Sequence, residues 1–110
     1  GQHLYSGGRD AYLRVWDLAH QADLQHEVAA HMFTVNHLLL HPQGHWLATA
    51  SRDKSIRLWD ASNLRLLKAL ETVRDNGHHN SVNRLHWSAS TDQLISASDD
   101  RSLGIWKIEV

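Results

Sequence analysis

Ser51-Arg52-Asp53-Lys54-Ser55-Ile56-Arg57-Leu58-Trp59-Asp60 returns later in the chain as Ser98-Asp99-Asp100-Arg101-Ser102-Leu103-Gly104-Ile105-Trp106-Lys107. A third copy stands near the start: Gly8-Arg9-Asp10-Ala11-Tyr12-Leu13-Arg14-Val15-Trp16-Asp17. In each copy an aspartate precedes a tryptophan by six residues, and successive tryptophans are 43 and 47 residues apart. The copies extend upstream, because Ala30-His31-Met32-Phe33-Thr34-Val35-Asn36 aligns with Gly77-His78-His79-Asn80-Ser81-Val82-Asn83. His31 precedes Ser51, Asp53 and Trp59 by 20, 22 and 28 residues, and His78 precedes Ser98, Asp100 and Trp106 by the same intervals. The four extra residues of the longer period fit in the polar stretch 73–80.

Within the repeat the local pattern is that of strands. Val35 to His41 is a short apolar run stopped by Pro42-Gln43-Gly44, a turn sequence. Trp46 to Ser51 is a second run and Ser55 to Asp60 a third, joined by a tight connection. Leu64 to Leu70 has helical propensity, but its length and its place in the repeat favour a fourth strand. The same spacing predicts strands over 3–9, 11–17 and 24–30, four within 34–71 and three within 81–109, ten in all. The fold class expected is all-β.

These residues resemble the WD-repeat family. Trp16-Asp17 and Trp59-Asp60 match the dipeptide that names it, and Gly77-His78 matches the family's Gly-His dipeptide. Periods of roughly 40–45 residues are those of its blades. The resemblance covers essentially the whole chain and implies a β-propeller: a partial blade over 1–30, a complete one over 31–76 and a partial one over 77–110. Ala30 in place of glycine, Lys107 in place of aspartate, and Gly8 in place of serine are departures at single positions. The resemblance also implies two hydrogen-bonded structural sets, His31-Ser51-Asp53-Trp59 and His78-Ser98-Asp100-Trp106. Donor and acceptor chemistry agrees, since the indole only donates, the carboxylate accepts, and imidazole and hydroxyl do both. The first repeat keeps Asp10 and Trp16, with Gly8 at the serine position and the histidine position before residue 1, so its set is expected to be incomplete. Histidine, serine and aspartate together invite a catalytic reading. Repetition at one spacing is the mark of a structural network, and no enzyme is expected.

A closed propeller needs 4–8 four-stranded blades, roughly 170–340 residues. At 110 residues and ten expected strands, this chain does not close a ring. Leu4, Leu13 and Val15 at one end and Leu103, Ile105 and Trp106 at the other are expected to lack covering partners. The leading reading is a piece of a larger propeller that serves as a protein–protein interaction scaffold. The alternative is a natural or designed fragment that assembles with copies of itself. A standalone monomer with a modified edge is the third.

Composition narrows the partners. Net charge is −1, so no basic field points to nucleic acid, and no apolar run is long enough to span a bilayer. There is no cysteine, the first residues do not read as a secretion signal, and a cytoplasmic setting is the expectation. His37, His41 and His45 are spaced by four, but Pro42 and Gly44 place a turn among them, and neither metal nor cofactor is expected. Family propellers bind partners through the loops beside the aspartate turns. In this chain those loops carry Arg9, Arg52, Arg101, Met32, Phe33 and His79, side chains suited to an acidic or phosphorylated protein or peptide. The rival expectation is that each arginine pairs with its neighbouring aspartate.

Overall fold

The computed structural model describes residues 3–21, 23–71 and 77–108. Among them ten strands form three antiparallel sheets. The first sheet is β1 (His3–Gly7), β2 (Tyr12–Asp17) and β3 (Asp23–Ala29), with one 3-10 turn at Leu18–His20 between the last two. The middle sheet is β4 (Val35–Leu40), β5 (Trp46–Ser51), β6 (Ile56–Asp60) and β7 (Leu66–Leu70). The last is β8 (Val82–Ser88), β9 (Gln93–Ser98) and β10 (Leu103–Trp106). Each sheet runs in chain order, as blades do, and the architecture is an incomplete β-propeller. Residues 73–76, half of the stretch expected to hold the longer spacer, fall outside the described residues. Among the described residues no helix is long and apolar enough to cross a membrane.

Two cores hold the blades together, and side-chain alternation along β5 explains both. Trp46, Ala48 and Ala50 point to one face, where with Ile56 and Leu58 they meet Val82, Leu85 and Leu94 of the last blade. Leu47 points the other way, where with Trp59 it meets Leu13, Val15 and Val35. Every residue of β5 is therefore buried, which is why its sequence carries no charge, and its two hydroxyls, Thr49 and Ser51, are both hydrogen-bonded.

The end faces differ from the expectation. Leu13 and Val15 are buried, because their parity turns them toward the middle blade. Trp106 likewise faces inward and packs against the core shared with the middle blade. Leu4 (51% exposed) at one end, and Leu103 (69%) and Ile105 (63%) at the other, do lie open. Elsewhere, His41 bridges blades, its ring 4.8 Å from the rings of both Trp46 and Trp87.

Candidate functional site

The aspartate turns and the loops entering the middle and last blades gather at one end of the sheets. Beneath them lie the repeated polar sets. His31 Nδ1 lies 2.8 Å from Asp53 Oδ2, and His31 Nε2 lies 2.6 Å from Thr49 Oγ1. Trp59 Nε1 donates to the same threonine oxygen at 3.0 Å. The indole donates to the hydroxyl and Nδ1–H to the carboxylate; with an uncharged imidazole the hydroxyl then donates to Nε2. The last blade repeats the geometry. His78 Nδ1 is 3.2 Å from Asp100 Oδ2, its Nε2 is 2.7 Å from Ser96 Oγ, and Trp106 Nε1 donates to Ser96 Oγ at 2.9 Å.

The structure thus brings His31, Asp53 and Trp59 together, and likewise His78, Asp100 and Trp106. The hydroxyl between histidine and indole is Thr49 or Ser96, two residues before the serine that the resemblance suggested. Ser51 sits beside the network, where its hydroxyl donates to Thr34 O at 2.9 Å and accepts from Asp53 N at 3.0 Å. Ser98 does the same with Ser81 O (2.9 Å) and Asp100 N (3.2 Å). These serines tie the entering loop to the turn. In the first blade Trp16 Nε1 donates to Ser6 Oγ at 2.9 Å, so its hydroxyl is present although Gly8 is not a serine. Asp10 is held by Arg14 at 2.8 Å and accepts from Tyr12 N at 3.1 Å.

The signal for these hydroxyls was in the sequence. Ser6, Thr49 and Ser96 each precede their tryptophan by ten residues. An antiparallel pairing places them on the tryptophan's face of the sheet, because Leu47 faces Trp59 and Leu94 faces Trp106 across the ladder. Ser51 and Ser98 lie at the strand ends, out of reach of the indole.

Burial alone would raise the Asp53 carboxyl, but hydrogen bonds from His31 and Ser55 outweigh it and hold it well below the usual carboxylate range. Asp100 is held low mainly by the Ser102 hydroxyl, then by the backbone N–H of His79. Thr49 is fully buried, and its oxygen is already bonded to an imidazole and an indole.

Each half-buried aspartate also fixes the loop above it. Asp53 Oδ2 accepts from Met32 N at 3.2 Å, and Asp100 Oδ2 accepts from His79 N at 2.9 Å. Met32 and His79 are matching positions, and both side chains are exposed. Met32 is 79% exposed and Phe33 55%, unusual for apolar side chains on anchored loops. Arg9, Arg52 and Arg101 are exposed on the turns, and among the described residues no ion pair forms with them; Asp10 pairs with Arg14 instead. The three arginines are not equivalent positions. Arg9 and Arg52 precede their aspartates, whereas Arg101 follows Asp100 and takes the left-handed position of the turn, φ 68°, that Ala11 and Lys54 take in the other blades.

His37, His41 and His45 do not converge. His37 bonds to Leu85 N, His41 lies between two indoles, and His45 is exposed in the turn before β5. Among the described residues no group of three metal-ligating side chains forms.

The family model described as WD domain, G-beta repeat matches residues 1–17, 22–60 and 68–107. The nuclear distribution protein nudF of Aspergillus terreus is 32% identical, over 98% of this chain and 27% of that protein. Protein HIR1 of Candida albicans is 26% identical, over 96% of this chain and 16% of its own length. The ribosome biogenesis protein ytm1 of Emericella nidulans is 29% identical, over 96% and 23%. The chain thus spans about a quarter or less of each of these relatives.

Proposed function

The chain belongs to the WD-repeat family, and from that premise we propose that it is part of a larger propeller working as a protein–protein interaction scaffold. Its contact surface is the turn face, built from Arg9, Arg52, Arg101, Met32, Phe33 and His79, and its partner is an acidic or phosphorylated segment of another protein. The observation that carries this reading is that three arginines are exposed on the turns without a carboxylate partner among the described residues, and that the loop following Ala30, pinned from below by Asp53 and bonded to the turn of Arg52, exposes two apolar side chains. Arginine supplies charge and a planar donor fork for carboxylate or phosphate, and the apolar pair supplies area to bury. The proposal includes no catalytic role, no nucleic-acid partner and a cytoplasmic setting, in keeping with a balanced charge and a sequence without cysteine.

The test is binding of a short fluorescent glutamate-rich peptide, and of its phosphoserine counterpart, read by anisotropy at low and physiological salt. Reversing charge at Arg9, Arg52 and Arg101 together is expected to remove binding, and Phe33→Ala to weaken it without changing its salt dependence. Binding that is unchanged by the triple reversal overturns the assignment of this face.

A further inference from the structure

β4 and β8 are edge strands of different sheets, so no ladder joins them. Side chains of β4 make the connection instead. Asn36 Nδ2 donates to Ser81 Oγ and to Val82 O, both at 2.9 Å. One residue on, the backbone N–H of Leu85 donates off the open edge of β8 to His37 Nδ1 at 2.7 Å. A backbone amide can only donate, so Nδ1 must present its lone pair and the ring proton sits on Nε2. That bond exists only for the uncharged imidazole. A second proton would occupy the lone pair and set two donors against each other.

The surroundings offer the charged ring no compensation. Arg84 and His86 of β8 line a groove with His37, together with uncharged residues of β9. On the β1 side the facing titratable group is Tyr5. From β5 the paired residue is Ala50. Among the described residues lining these grooves none is acidic. Burial, and then the Arg84 charge, hold the His37 imidazole below its ordinary value.

We propose that His37 is an acid-released latch between the middle and last blades: the neutral ring holds the Leu85 amide, and protonation lets it go. The latch does not depend on what the turn face binds. It leaves the Asn36 bonds and the shared apolar core in place, so acid loosens the junction without unfolding either blade.

The test is NMR on the 110-residue chain, following the imidazole signals of His37 and the hydrogen exchange of the Leu85 amide across roughly pH 7.5 to 5. Exchange is corrected for its intrinsic pH dependence, with the amide of Leu94, buried in the same core, as reference. Protection at Leu85 is expected to fall about tenfold, relative to Leu94, as His37 gains its proton. In His37→Gln the side-chain carbonyl accepts the same N–H at every pH, and Leu85 is expected to stay protected throughout. The proposal is overturned if Leu85 protection holds constant while His37 titrates, or if the glutamine variant shows a fall of the same size. Should that variant fail to fold, the comparison of the two amides in the unaltered chain decides alone.

Discussion

Thr49 Oγ1 lies 2.6 Å from Nε2 of His31, and the same oxygen takes the indole proton of Trp59 at 3.0 Å. Both partners are buried, so neither finds water if the hydroxyl is removed. Thr49→Val keeps the shape and deletes the oxygen. It is expected to cost about 2–4 kcal/mol, since each stranded polar group costs roughly 1–3 kcal/mol. Thr49→Ser keeps the oxygen and loses one methyl, and is expected to cost less. Urea denaturation of both variants measures the difference.

Acid should weaken the fold through Asp53. Its folded-state carboxyl is held below the ordinary value of 3.8, so the unfolded chain binds the proton more tightly. Stability from this group is therefore complete above about pH 4 and is lost as pH falls below that. Asp53→Asn is expected to be less stable near neutrality and to show a shallower acid limb. Urea midpoints at a series of pH values read both effects.

Lys54 stands at φ 77° in the turn between β5 and β6, a left-handed conformation that costs a side chain roughly 1–2 kcal/mol. Its side chain is exposed. Lys54→Gly relieves the strain but gives the unfolded chain more freedom, so a net stabilisation of about 0.5–1 kcal/mol is expected. A rise in the thermal midpoint checks it; a fall would show that the turn does not carry the strain assigned to it.

Gly104 supports the last blade's network by leaving space. A methyl group there would sit 2.5 Å from Ser96 Oγ and 2.6 Å from Trp106 Nε1. Both atoms belong to one hydrogen bond, so Gly104→Ala must push them apart. The expected cost is about 1–3 kcal/mol, with a shift of the Trp106 indole N–H resonance marking the displaced bond.

The blades were legible because repetition is visible without knowing any contact. Aspartate and tryptophan recur at one offset, and strand ends follow from Pro42-Gln43-Gly44 and the turns. The hydroxyl partner was less legible. Ser51 recurs as Ser98 and drew attention as the identical residue, whereas Thr49 and Ser96 share a hydroxyl but not a name. Positions 49 and 51 share one face of β5, and only the strand register shows that 49 lies within reach of the indole while 51 lies beyond it, at the strand end. The burial of Leu13 and Val15 was hidden for a related reason. Alternation says that one set faces in, but which neighbouring blade is present decides which set that is. The His37 bond to Leu85 joins residues 48 apart in different sheets, and no local pattern reports it.

This chain is an incomplete propeller with open faces at both ends. Leu4 at one end and Leu103 and Ile105 at the other lie open, and β1 and β10 are edge strands. Light scattering of the chain by itself tests this most directly. The expected result is a mass well above the 12.5 kDa of one chain, reflecting association through the open faces. A folded, monodisperse monomer of 12.5 kDa would contradict the account.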